Sequence, residues 1–284
     1  NYTLRQYERA KVARNLYHKV GAPTIYNFKQ LLRLNQIKNC PVIPEDVDIA
    51  EKIFGPDMST IKGKSKRTQP KPVRKDLVVI PKELIQQHHE LELCIDVMFV
   101  CEIPFLTSID RSIKYRGVAT LVSRNAKKLM EGLDKILRVY NNAGFIVKKI
   151  QCDIEFKALT TLIQDELHCQ VNHTNAGDHV PEAERNNKTI KEHVAWHRLP
   201  FRVIPRVMIE DLVLVSTSQL NFFPVKGGIS DYYSPRMILH QENLDYNKHC
   251  LIPFGSFVQA EYDIKRTNTM QSRRKDVIYT KPVL

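Results

Sequence analysis

The chain has 284 residues, room for one or two domains, and its 43% apolar content can bury a sizeable core. A net charge of +12 points to a polyanionic partner, although a merely basic protein would have the same composition. Six scattered cysteines without a CxxC pair argue against a disulfide framework and fit a reducing compartment; no apolar run approaches membrane-span length and no signal peptide opens the chain, so no membrane partner and no secretion are expected. Charged helical sequence starts at once after Asn1, so the chain reads as a piece of something longer. Residues 1–56 read as a small helical region. Phe28, Leu31 and Leu32 share a helical face, Pro44-Glu45-Asp46 marks a helix start with acids at the positive end of the dipole, and Gly55-Pro56 is a stop. Residues 57–90 read as a basic linker. Ile61 to Lys75 holds seven basic residues, two prolines and no acid, so an extended, exposed segment is expected. Such a run is either a solvated connector or, through Lys62, Lys64, Lys66 and Arg67, a sequence-independent contact to phosphates.

From residue 91 the pattern changes. LCIDVMFV (93–100) is an apolar run with one carboxylate, Asp96, in its middle, as in a buried strand. Segments 103–108 and 115–122 continue an antiparallel meander. Ser123 is expected to cap a helix with Leu129, Met130, Leu133, Ile136, Leu137 and Tyr140 on one side, and Gly144 to end it. A fourth strand (145–152) carries Asp153 at its end. A helix over about 156–167, a short strand at 169–171, a polar helix from Glu182 and an amphipathic helix from Pro205 to Leu220 follow. This order predicts an α/β fold with a mixed five-stranded sheet flanked by helices.

An ionised carboxylate buried in an apolar strand is costly unless it pairs with a cation or binds a metal; otherwise it is protonated. A structural ion pair is the ordinary answer. Two further acids shift the balance: Asp153 at a strand end, and Glu184 in the first turn of a helix opening after Pro181. Three converging carboxylates call for hard divalent cations, Mg²⁺ or Mn²⁺. Two such ions about 3.5–4 Å apart can serve both the attacking and the leaving oxygen of a phosphodiester displacement. Arg185, Lys188 and Lys191 put a basic face beside this acidic set, although a charged helix face is more often simply solvated. Glu155 follows Asp153 too closely past the strand end for its direction to be fixed. Glu182 lies roughly 200° around the helix from Glu184, so only one of the two can face the site.

The stretches IDVMFVCEIPFL, AGFIVKKIQCDIEF, HVPEAERNNKTIKE, LPF, LNFFPVKGGIS and SPR (234–236), with LDYNKHCLIPFGSFVQ beyond them and IKNCPV, IFGPD and KGKSKR upstream, resemble the integrase region of copia-type retrotransposon polyproteins. They are especially similar to the divergent lineage found in diatoms and other microbial eukaryotes. The resemblance implies a ribonuclease-H-like catalytic core over 91–223, a pre-integrase region over 1–56, and a C-terminal extension over 224–284 that is incomplete. It puts the family's catalytic and metal-holding D,D,E triad on Asp96, Asp153 and Glu184, the last in an Ala183-Glu184-Arg185 context. It implies 3′-end processing and strand transfer with two Mg²⁺ or Mn²⁺ ions, DNA as partner, self-association, and a location in the nucleus or, before nuclear entry, in a cytoplasmic virus-like particle. Two departures stand out. Only His18 and Cys40 remain where the family often has a His-His-Cys-Cys module, so no structural zinc is expected. The family's D-N-G is Asp153-Ile154-Glu155 here. The competing functions are a ribonuclease-H-like nuclease and a catalytically inactive DNA-binding or assembly module.

Overall fold

The structure is a computed structural model that describes residues 2–64, 77–174, 180–197, 199, 203–261, 272 and 274–281. The chain divides into two compact units, 1–71 with 257–277, and 72–256 with 278–284. Among the described residues no helix is long and apolar enough to cross a membrane.

The first unit opens with α1 (Leu4–Lys19), whose cap Thr3 and Gln6 satisfy each other's backbone N–H groups. After it come α2 (Ile25–Arg33), α3 (Pro44–Phe54) and α4 (Met58–Lys64). Ala10, Ala13, Tyr17, Phe28, Leu32, Val42, Val47 and Ala50 form their core. Asp46 is buried at the start of α3, where its carboxylate takes a two-toothed contact from Arg9 (2.9 and 2.8 Å) and the Ile43 N–H (3.1 Å). Residues 61–64, expected as the start of an extended stretch, lie in helix α4. Asp57 accepts the Thr60 N–H at 2.9 Å, and His18 and Tyr17 of α1 reach Asp57 and Thr60. Tertiary contacts thus override the composition. His18 therefore faces an aspartate, and the Cys40 thiol faces the Val42 carbonyl.

In the second unit a short α5 (Lys82–Gln87) leads into β1 (Glu90–Val100), β2 (Ile103–Asp110) and β3 (Arg116–Thr120). Next come α6 (Ala126–Asn142), β4 (Ile146–Cys152), a 3₁₀ turn over Ile154–Leu159, α7 (Thr160–Leu167), β5 (Gln170–His173), α8 (Pro181–Trp196) and α9 (Arg206–Leu220). The sheet order is β3-β2-β1-β4-β5. The first three strands are antiparallel, and β4 and β5 run parallel to β1. This is the ribonuclease-H-like arrangement: an α/β fold with a mixed five-stranded sheet flanked by helices.

Strand alternation sorts β1 between two layers. Leu91, Leu93 and Ile95 pack against Met130, Leu133, Ile136, Leu137 and Tyr140 of α6. Cys94 and Met98 point the other way, against Ala183 and Ile190 of α8 and Val213 of α9. The cap of α6 is Asn125, not Ser123: its side chain accepts the Lys128 N–H at 2.9 Å, with backbone angles that still lie outside the helix. Gly144, at φ +85°, takes the chain out of α6 into β4.

The described residues after 223 are shared between the two units. Helix α10 (Pro235–His240) adds Ile238 and Leu239 to the main core, and α11 (Tyr246–His249) follows. Strands β6 (Phe257–Glu261) and β7 (Arg274–Ile278) pair into a ribbon that lies almost wholly in the first unit.

Candidate active site

Asp96 lies on the face of β1 that carries Cys94 and Met98, under α8. One carboxylate oxygen accepts the Val97 N–H at 2.7 Å; the other accepts the side-chain amide of Asn187, on α8, at 2.6 Å. The carbonyl of that same amide takes the Thr107 hydroxyl at 2.6 Å, and Thr107 stands opposite Asp96 on β2. Burial raises the pKa of Asp96 to about 6. The Val97 N–H opposes this, and the negative charges of Asp153, Glu155 and Glu184 reinforce it.

Asp153 follows the last residue of β4 and stands at the N-cap position of the 3₁₀ turn, its side chain making no capping hydrogen bond there. The parallel register pairs Cys94 with Gln151, and two residues further along both strands come Asp96 and Asp153. Neighbouring strands lie about 4.8 Å apart, which accounts for the charge of one being felt by the other. Glu184 sits in the first turn of α8, where a helix N-terminus favours an acid. The buried stripe of α8 is Ala183, Asn186, Asn187 and Ile190. Glu184 lies beside that stripe, and Lys188 and Lys191 continue its exposed edge at spacings of four and seven residues.

The acids are brought together electrostatically. Among the described residues, however, no group of three or more His, Cys, Asp or Glu side chains stands close enough to hold a metal ion. As placed, Asp96 is oriented by Asn187 and Val97 and not by a third carboxylate. The donor chemistry itself is all hard oxygen, which suits Mg²⁺ or Mn²⁺.

Glu182 is turned elsewhere. It meets Arg111 at 3.4 Å, while Arg111 also holds Glu92 at 2.9 Å and Gln151 donates to Glu92 at 2.7 Å. Burial alone would raise the pKa of Glu182, but its own backbone N–H and the Arg111 guanidinium hold it below the usual glutamate range. Glu155 pairs with Arg124, whose guanidinium lies 5.5 Å from the Phe99 ring centre. Together with Val97, Leu129 and Phe156, on the α6 side of the sheet, this pair walls a cavity of about 360 Å³.

The basic candidates divide. Arg185 turns its Nε back to the Pro181 carbonyl at 3.2 Å, and Lys188 stands 4.0 Å from Glu192. Lys191 is exposed on the same helix. Lys62 lies on α4 and is ion-paired with Asp276 at 2.6 Å. The Lys64 side chain, and Lys66 and Arg67 entirely, fall outside the described residues.

Reading the sequence missed Asn187, Thr107 and Arg124. The one available signal was Asn186-Asn187, a polar pair interrupting the Ala183 and Ile190 stripe of a helix.

This sheet, with an acid at mid-β1, an acid just past β4 and an acid on the helix crossing the same face, defines a carboxylate-bearing ribonuclease-H-like domain. No protein-family model matches the chain, and no curated protein matches it in sequence. Among solved structures it is similar to the catalytic core domain of BIV integrase, at 13% identity and a TM-score of 0.40. That match covers 54% of this chain and 95% of the other.

Proposed function

We propose that the chain is the integrase segment of a copia-type retroelement polyprotein, a polynucleotidyl transferase that processes 3′ ends of element DNA and joins them to target DNA. The observation that carries this reading is Asp96: a desolvated carboxylate in a central strand, under the joint negative field of Asp153, Glu155 and Glu184. Like charges crowded this way cost folding energy, and a divalent cation offsets that cost.

Mg²⁺ or Mn²⁺, two ions in this reading, would be held by Asp96, Asp153 and Glu184 and would supply charge stabilisation to the attacking and leaving oxygens. The chain's own groups do the rest. Asn187, anchored on Thr107, fixes the direction of the Asp96 carboxylate. Arg185, Lys188 and Lys191 offer phosphate contacts along α8, and Lys62, Lys64, Lys66 and Arg67 would add contacts of the same sequence-independent kind. DNA is the partner, the working form is a homo-oligomer, and the site of action is the nucleus, reached from a virus-like particle.

The test is one gel comparing the unmodified chain with Asp153→Asn, using donor ends, supercoiled target and Mg²⁺ or Mn²⁺. Joined products are expected to fall at least about 100-fold in the variant, because the charge stabilisation of the transferring phosphoryl group is lost. Circular dichroism should be unchanged and thermal stability equal or higher, since repulsion among the acids is relieved. Hydrolysis without joining would favour a nuclease. The absence of any metal-dependent product from the unmodified chain would favour an inactive assembly module.

A further inference from the structure

His193 and His197 close the C-terminal turn of α8, four residues apart, a spacing that puts both rings on one face of the helix. The same spacing separates the two histidines of helical zinc motifs. Across from them, on α9, stands Gln219. The Nε2 atoms of both rings reach a single atom there: His193 at 3.0 Å and His197 at 3.3 Å from the Gln219 Oε1. The two rings are nearly perpendicular, at 89° with centres 5.8 Å apart, so their nitrogen-bearing edges converge without the faces stacking. All three side chains are half-buried, sheltered yet reachable from solvent.

We propose that His193, His197 and Gln219 form a binding site for a borderline transition-metal ion, of the Zn²⁺, Co²⁺ or Ni²⁺ class, that clamps the end of α8 to α9. Imidazole nitrogens suit this class, whereas the all-oxygen acids around Asp96 suit Mg²⁺ and Mn²⁺, so the two sites select different ions. In the described state both ring N–H groups can satisfy the amide oxygen. On metal binding each neutral ring moves its proton to Nδ1 and presents the Nε2 lone pair. The Gln219 oxygen is then the third donor and water completes a four-coordinate shell. Helix α8 also carries Glu184, Asn187 and Lys188, so an ion here would tether the helix on which the candidate active site depends. The inference stands whether or not the chain joins DNA.

The test is calorimetric titration of the untagged full chain with ZnCl₂ in millimolar Mg²⁺, together with the visible absorption of added Co²⁺. One equivalent of Zn²⁺ should bind, and saturating Zn²⁺ should raise the thermal midpoint. His193→Asn and His197→Asn should each weaken Zn²⁺ binding at least about tenfold and abolish the Co²⁺ band, while Gln219→Glu should tighten binding about tenfold by giving a charged oxygen donor. Equal affinity in the unmodified chain and both histidine variants would overturn the assignment, as would loss of Zn²⁺ binding in Asp153→Asn alone. Should a histidine variant fail to fold, the Gln219 series decides: identical Zn²⁺ affinity with Gln, Glu and Ala at 219 also overturns it.

Discussion

Two strand carboxylates carry the same displaced titration for different reasons. Asp96 is desolvated and crowded by other acids, and its amide and N–H contacts leave it at about 6. Asp110, at the end of β2, is fully buried and accepts the N–H groups of Ser112, at 2.8 Å, and Ile113, closing the turn into β3. Burial raises its pKa to about 6, against the pull of the Ile113, Ser112 and Lys114 backbone N–H groups. The folded chain therefore takes up this proton before the unfolded chain does as pH falls. Stability from Asp110 is then greatest below the unfolded value of 3.8 and is lost as pH rises towards 6, by at most about 3 kcal/mol for a shift of about two units. Urea unfolding at pH 5 and pH 7 should show it. The stability difference between those pH values should shrink by about 1–2 kcal/mol in Asp110→Asn relative to the unmodified chain. An identical difference in both proteins would mean that Asp110 titrates as an ordinary carboxylate.

At the level of elements, the start of α6 separates two residues with the same capping chemistry. Asn125→Ala should cost about 1 kcal/mol, because the Lys128 N–H loses its acceptor, whereas Ser123→Ala should cost a few tenths at most. Equal losses in thermal or urea unfolding would argue for a shared cap. The sequence alone could not choose between them, since both are good caps lying two residues apart. What could be read was what local pattern controls. The LCIDVMFV run predicted β1 with Asp96 in its middle, the apolar stripe from Met130 to Tyr140 predicted the buried face of α6, and the positions of Asp153 and Glu184 followed from a strand end and a helix start. What escaped depends on two elements meeting. Asn187 matters because α8 lies across β1 and β2 and so places its amide between Asp96 and Thr107. Glu155 gained a direction only through Arg124, 31 residues earlier. Helix α4 was hidden by the basic composition that follows it, and it is held by Asp57, His18 and Tyr17.

Over the whole molecule the excess of 43 Lys and Arg over 31 Asp and Glu, a net +12, sets the long-range field but does not say where a polyanion sits. Local pairing narrows the choice. Lys62 is half-neutralised by Asp276, and Lys29 by Asp48. On α8, Lys188 reaches Glu192 only at 4.0 Å and both groups are well exposed, so that pair is weak. Lys191 continues the same edge, which begins at Glu184, and Arg185 is exposed beside it. If this edge receives the phosphates next to the acidic site, Arg185→Gln, Lys188→Gln and Lys191→Gln combined should weaken DNA binding by a similar factor for all sequences. The slope of log affinity against log salt should become shallower by up to about 2.7, roughly 0.9 for each of three lost phosphate contacts. Lys62→Gln alone should change it by less than about 0.9, because breaking its pair with Asp276 offsets part of the lost contact. The measurement is fluorescence anisotropy of labelled duplexes of two unrelated sequences across a salt series. An unchanged slope in the triple variant would make the α8 edge an ordinary solvated face, and a loss confined to one duplex would make it a reader of sequence and not of charge.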